Sequence, residues 1–255
     1  MLEVSALEFG FDRPLVKGLS FSVPKGQIRL LHGPSGCGKS TLLALISGTP
    51  IFDVNWSGEI RLNGIDIGAL PAHRRSVGIM YQDPLLFPHL TVLENILIGR
   101  HHLYKSPWWK QILRTKSYKD EEVLQRAKVE EVIDFLNLES YRLMPCGILP
   151  YGILKRVELA RALCLEPTIL LLDEPTASLD PDVGDYIRTY LENFALKKNT
   201  TILLASHNMN EVERLCNKVM MMKNGKIIDE GTCSSLIKKH GRANLEDTFL
   251  KIVRE

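Results

Sequence analysis

The stretch "GPSGCGKST", residues 33–41, decides how the rest of the chain is read. It fits the pattern G-x-x-x-x-G-K-[ST]. Before it runs an apolar strand, "QIRLLHG", and after it a helix, "KSTLLALISG", ended by Gly48. A glycine loop between a strand and a helix is the setting in which this pattern forms a phosphate-binding P-loop. Glycines let successive backbone N–H groups curl round a phosphate, and the helix N-terminus adds a favourable dipole. Gly33, Pro34, Ser35, Gly36, Cys37 and Gly38 would form the cradle. Lys39 would reach the β- and γ-phosphates, the Ser40 hydroxyl would ligate Mg²⁺, and Thr41 closes the motif.

A second element, "ILLLDEP" at 169–175, completes that chemistry. The apolar strand delivers Asp173 to the sheet edge, where it can hold Mg²⁺ through water. Glu174 follows, placed to orient or deprotonate an attacking water. Alone, Asp-Glu after a strand is only a turn; the P-loop upstream gives it a function. His207 ends "TILLASH" and has two readings, a structural strand-end histidine or a hydrogen-bond donor to the γ-phosphate. Gln82, in "GIMYQDP", is unremarkable alone. At the entrance to a helical region it would join Mg²⁺ and the attacking water.

Working outward, "MLEVSALEFGF" and "GLSFSV" read as strands, and Pro24-Lys25-Gly26 as a turn. "SGEIRLNGIDI" reads as a hairpin turning at Asn63-Gly64. From about 91 to 165 the pattern is helical, with Val129, Val132, Ile133 and Leu136 on one face. "TILLLDEP" and "TTILLASH" are buried-type strands with a helix at roughly 182–196 between them, which implies a parallel α/β sheet. "MMMKNGKIIDEG" is a strand–turn–strand unit followed by a polar helical tail. With no internal repeat, residues 1–255 read as one domain: an α/β P-loop core with a mixed, largely parallel sheet, an N-terminal antiparallel β lobe and an inserted helical lobe.

Composition sets outer bounds. The chain has 255 residues, 45% hydrophobic and 24% charged, as expected for a globular protein with a sizeable core. A net charge of +2 gives no reason to expect nucleic acid as the main partner. Cys37, Cys146, Cys164, Cys216 and Cys233 contain no Cys-x-x-Cys pair, which argues against a disulfide framework or a zinc site and fits a reducing cytosol. Glu3 and Glu8 interrupt the start, so no secretory leader is expected. The longest apolar runs, such as "ILLL", fall far short of the roughly 20 residues a membrane span needs.

Taken in order, "GPSGCGKST", Gln82, "LPYG", "LLLDEPTASLD" and "SHN" resemble the ATP-binding cassette (ABC) ATPases, the motor subunits of ABC transporters. The resemblance covers nearly all of the chain. It implies ATP and Mg²⁺ as ligands, a separate membrane permease as partner, and a peripheral position on the cytoplasmic face of the membrane. It also implies an aromatic residue before the P-loop that stacks on adenine. Phe11 is the best match and Phe9 the second, with a core role the alternative for either. The family further implies a head-to-tail pair of cassettes, identical or not, with ATP between one P-loop and the other's signature loop. Gly152 would face the partner's ATP. Asp180, in "SLD", would lie at the dimer seam or cap the next helix.

The signature itself departs from the usual Leu-Ser-Gly-Gly-Gln. In "LPYGILKR", residues 149–156, Leu149 and Gly152 match, whereas Pro150, Tyr151 and Ile153 replace Ser, Gly and Gln. Losing one hydrogen bond to a charged group would weaken the sandwich about 10- to 100-fold if nothing compensated. The helix dipole behind Gly152, running through Arg161, would remain. A second reading comes from branched-chain amino acid importer cassettes, which "LPYG…KRVELARAL" also resembles. On that reading Pro150 and Tyr151 are a working variant, although Ile153-Leu154 departs from that group's Gln-Gln. "HRRSVGIMYQDPLLFPHLTVLENI" resembles small-solute importer cassettes and "SHNMNEVERLC…LIKKHGRANLEDTFL" exporter cassettes, so the direction of transport stays open.

Between Arg100 and Lys119 the chain is basic, lacks acidic residues and carries Trp108 and Trp109. Three readings stand: a solvated helical hairpin, contact with lipid headgroups or a permease, and stacking on nucleic-acid bases. Two other functions compete overall. Non-transport ABC proteins usually carry two cassettes, a long coiled coil or zinc ligands, and none is visible. A GTPase needs Asn-Lys-x-Asp, and "NKVM" has Met220 in place of the Asp.

Overall fold

The computed structural model describes residues 1–104, 106–107, 109, 112–113, 115–177 and 179–254, the last two and Asn210 without their side chains. Trp108, Lys105, Lys110 and Arg114 of the basic segment lie outside these residues. In chain order the strands are β1 (Leu2–Gly10), β2 (Pro14–Val23), β3 (Ile28–His32), β4 (Asn55–Leu62), β5 (Ile65–Asp66), β6 (Val77–Met80), β7 (Ile169–Asp173), β8 (Thr201–Ala205), β9 (Lys218–Lys223) and β10 (Lys226–Gly231). The helices used below are α1 (Lys39–Ser47), α2 (Val92–Arg100), α3 (Lys116–Phe135), α4 (Tyr151–Cys164), α5 (Pro181–Lys198), α6 (Met209–Leu215), α7 (Cys233–His240) and α8 (Leu245–Arg254).

These elements form two compact units. One comprises Met1–Gln82, Thr168–Ala177 and Pro181–Glu255; the other comprises Asp83–Pro167 and Ser178–Asp180. The second unit therefore begins at Asp83, ahead of the first helical residues of the sequence pattern.

The first unit holds two sheets. One is antiparallel, in the order β2-β1-β4-β5. Asn63 and Gly64, at φ 52° and 80°, turn β4 into β5 as the left-handed pair a tight hairpin requires. The other sheet has the order β10-β9-β3-β8-β7-β6, parallel except for β10. Strands β3, β7 and β8 are buried at every residue, as befits a parallel sheet covered on both faces. One core joins both sheets to α1: Leu42, Leu43 and Ile46 share it with Leu2 and Val4 and with Leu31, Leu171 and Met220. Helix α8 buries Leu245, Phe249 and Ile252, spaced for one helical face.

The parallel arrangement positions the site. Strands β3, β8, β7 and β6 are neighbours pointing the same way, so their C-terminal ends share one sheet edge. Such an edge is where open α/β sheets bind ligands. It carries the P-loop after β3, Ser206-His207 after β8, Asp173-Glu174 at β7 and Gln82 just past β6.

In the second unit α2, α3 and α4 pack pairwise. Thr91 and Glu94 form a reciprocal capping box at the start of α2. Val129, Ile133 and Leu136 are fully buried, and Val132 is half-buried beside them. Arg100 ties the three helices together, donating to Gln125 Oε1 at 2.6 Å and to the Cys164 carbonyl at 2.9 Å. Among the described residues no helix is long and apolar enough to cross a membrane.

Candidate nucleotide site

The P-loop runs from Gly33 to Gly38 and delivers α1, whose first residue is Lys39. Two glycines are dictated by geometry. A Cβ at Gly33 would sit 2.3 Å from the Met222 carbonyl oxygen of β9, so only a bare Cα permits that approach. Gly38, at φ 101°, adopts a conformation that side chains resist, and a Cβ there would also press on the Phe9 ring at 3.1 Å. The Lys39 ammonium is buried and donates to the carbonyls of Gly33 at 2.6 Å and Pro34 at 3.0 Å. Both hydrogen-bond acceptors are neutral carbonyls, so a positive charge sits buried at the mouth of a glycine cradle. An anion binds favourably there. Ser35, Gly36 and Ser40 are exposed, Thr41 is half-buried and Cys37 is buried.

A cleft of about 570 Å³ gathers most of the expected residues of the first unit: Ser35, Gly36, Gly38, Lys39, Ser40, Thr41, Gln82, Asp173, Glu174 and His207. Phe11 lines it too and is 48% exposed, whereas Phe9 is 2% exposed and belongs to the core. The Ser40 hydroxyl, the Gln82 amide and the Asp173 carboxylate offer only oxygen or amide donors at the cleft. Among the described residues no group of three His, Cys, Asp or Glu could hold a metal. That donor set fits Mg²⁺, which takes one or two carboxylates and completes its shell with phosphate oxygens and water.

Glu174 sits at φ 51°, a left-handed backbone that costs a non-glycine residue about 1–3 kcal/mol. Its N–H donates to the Ala205 carbonyl at 2.8 Å, and its Oε2 accepts from the His207 N–H at 3.4 Å. The His207 Nε2 lies 3.7 Å from Glu174 Oε1. Burial pushes the Glu174 carboxyl above its usual range. The His207 N–H opposes this, the charges of Glu211 and Asp173 add to it, and Lys39 opposes it. Burial, then Lys39, holds His207 below the ordinary imidazole value against the pull of Asp173. The acidic partner raises and the histidine falls, so neither is locked as a charged pair.

Sequence reasoning missed two residues that organise this edge. Glu211 is fully buried and accepts hydrogen bonds from the hydroxyls of Thr176 and Ser206, bridging the segments after β7 and β8. His32, the last residue of β3, is 8% exposed. Its Nδ1 lies 3.2 Å from the Ser206 carbonyl oxygen, its ring stacks on Phe249, and burial pushes its pKa down to about 4. A polar ring ending an apolar strand is visible in the sequence, but its partners are not.

In the second unit Pro150 is the N-cap of α4 with φ −58° and ψ 150°, and no side chain caps the helix there. Gly152 is half-buried; a Cβ on it would meet only Leu179 Cδ2, at an ordinary 3.5 Å. The protein's own packing in that unit therefore does not demand glycine at 152. Asp180 is exposed. Glu158 and Arg161, on the same helix, hold Leu85: Arg161 Nη1 donates to its carbonyl at 2.6 Å and its N–H reaches Glu158 Oε1 at 3.4 Å.

A parallel sheet with a P-loop at one edge, and acidic and histidine residues brought beside it, defines a P-loop NTPase fold. Residues 16–177 match the family described as ABC transporter, and the chain belongs to it. It is 34% identical, over 88% of its length, to the spermidine/putrescine import ATP-binding protein PotA of Thermotoga maritima. It is 33% identical to a probable sulfate/thiosulfate import ATP-binding protein CysA of Chlorella vulgaris, over 92% of each chain. The structure of a nucleotide-free ATP-binding cassette from an ABC transporter superposes with a TM-score of 0.77 at 29% identity, covering 94% of both chains. The chain spans 56–61% of the length of several bacterial import proteins it matches.

Proposed function

We propose that this chain binds and hydrolyses ATP as the motor subunit of an ABC transporter. The observation that carries the reading is the cleft that brings Lys39, Ser40, Gln82, Asp173, Glu174 and His207 to one sheet edge. In this reading Phe11 stacks on adenine, and the Gly33–Gly38 loop, through the backbone N–H groups that every member but Pro34 carries, cradles the phosphates with Lys39 and Thr41. Ser40, Gln82 and Asp173 would hold Mg²⁺, which supplies charge neutralisation at the β- and γ-phosphate oxygens. Glu174, its carboxyl held above its usual range by burial, takes a proton from the attacking water. His207, held below the ordinary imidazole value chiefly by burial, turns its ring toward the γ-phosphate and steadies Glu174 through its own N–H.

A second cassette, identical or not, completes the site. Gly152 is the part of this chain offered to the partner's ATP, because a bare Cα there serves no packing need of its own and leaves room for an incoming phosphate. Asp180 would sit at the seam between cassettes. The Pro150 cap has no hydroxyl to offer, so the α4 backbone and dipole do that work. A membrane permease converts closure and reopening into movement of its substrate, with this chain peripheral on the cytoplasmic face. Relatives named as import ATP-binding proteins weigh against the non-transport alternative. Glu174→Gln tests the chemistry: ATP binding should persist while hydrolysis falls about 10²- to 10⁴-fold. Wild-type turnover would remove Glu174 from its role.

A further inference from the structure

We propose that His32 is a positioning residue for His207, and that helix α8 acts on the nucleotide site through it by way of Phe249. Three rings stand in contact. Phe249 lies flat on His32, with centroids 3.9 Å apart and planes at 14°. His32 meets His207 edge-on, at 5.1 Å and 76°. Phe249 is 4% exposed and His32 8%, so both inner rings are fixed by packing while His207 faces the cleft.

A hydrogen bond gives the contact direction. A carbonyl only accepts, so His32 Nδ1 carries the proton in its bond to the Ser206 oxygen. That oxygen belongs to the peptide unit whose N–H is His207's own. The same N–H donates to Glu174 Oε2 at 3.4 Å. One peptide plane is thus gripped from two sides, by His32 at its carbonyl and by Glu174 at its N–H. A leucine at position 32 would fill the volume but could neither donate to Ser206 nor offer a ring to His207. Helix α8 is anchored in turn by Lys223, whose Nζ donates to the Ile252 carbonyl at 3.1 Å. A displacement of α8 therefore reaches His207 through two stacked rings and one hydrogen bond.

The inference rests on reading His207 as a contact of the γ-phosphate, and the test separates the two. Imidazole NMR of the full chain, with His207 assigned by its loss in His207→Gln, is recorded for wild type, Phe249→Leu, His32→Leu and His32→Asn, alongside Mg-ATP hydrolysis. Phe249→Leu and His32→Leu should shift the His207 ring signals and lower kcat about 3- to 10-fold, with KM for ATP changing less than about 2-fold. His32→Asn, whose amide can still donate to Ser206, should keep more of kcat than His32→Leu. Unmoved His207 signals and unchanged kcat in both leucine variants would overturn the relay. If those variants fail to fold, wild type decides: cross-peaks between the rings of Phe249 and His32 and of His32 and His207 support it, and their absence overturns it. Full turnover in His207→Ala would instead overturn the site reading beneath it.

Discussion

Glu174 and His207 meet twice: the His207 N–H lies 3.4 Å from Glu174 Oε2, and its ring Nε2 lies 3.7 Å from Oε1. The two residues follow directly on neighbouring parallel strands, Glu174 one residue past the end of β7 and His207 two past the end of β8, so the sheet sets their separation. Removing the ring leaves the backbone bond in place. His207→Ala should therefore lower kcat about 10²- to 10³-fold, the loss expected for one donor aimed at developing charge. KM for ATP should change little. Steady-state hydrolysis across ATP concentrations checks it, and a loss confined to KM would place His207 in ground-state binding instead.

The Glu174 carboxyl is held above its ordinary value of 4.5, chiefly by burial. A general base works only when deprotonated, so activity is lost as pH falls through the raised value. The acid limb of kcat/KM should accordingly lie above pH 4.5 and should vanish with the activity in Glu174→Gln. A pH–rate profile whose acid limb falls at or below that ordinary value contradicts the assignment.

His32 makes stability depend on pH. Its folded pKa is about 4, against 6.5 for the free side chain. As pH drops below 6.5 the unfolded chain takes up a proton that the folded chain refuses until about pH 4. Stability from this group is therefore complete above pH 6.5 and is lost progressively toward pH 4, by about 3 kcal/mol at most. Denaturant unfolding between those limits should show a flatter dependence in His32→Asn than in wild type. Parallel curves would mean that the buried ring titrates normally.

Much of the site is local in sequence and was legible there. Gly33 to Thr41, Asp173 and Glu174 lie within short patterns whose spacing the backbone enforces, and Asn63-Gly64 announced its hairpin. What escaped was contact between distant segments. Nothing near position 32 points to Phe249, and nothing near Glu211 reveals that it joins Thr176 to Ser206. The helical unit starts at Asp83 because its first stretch is not helix. It is irregular chain with a turn at Pro88-His89, tied down by Asn95 to Phe87 and by Arg161 to Leu85, and no periodicity marks such a segment. Phe11 and Phe9 were separated by burial, which two aromatics so close in sequence do not disclose.

The most direct measurement is Mg-ATP hydrolysis by the purified chain over a range of protein concentrations, beside Lys39→Ala. Lys39 holds the only charge this P-loop contributes, with its ammonium already seated on the Gly33 and Pro34 carbonyls. A rate per mole that climbs with concentration identifies the second cassette as another copy of this chain; whichever cassette completes the site, the account predicts nucleotide binding by the wild type and no hydrolysis or nucleotide binding in Lys39→Ala. Turnover retained in Lys39→Ala would contradict it.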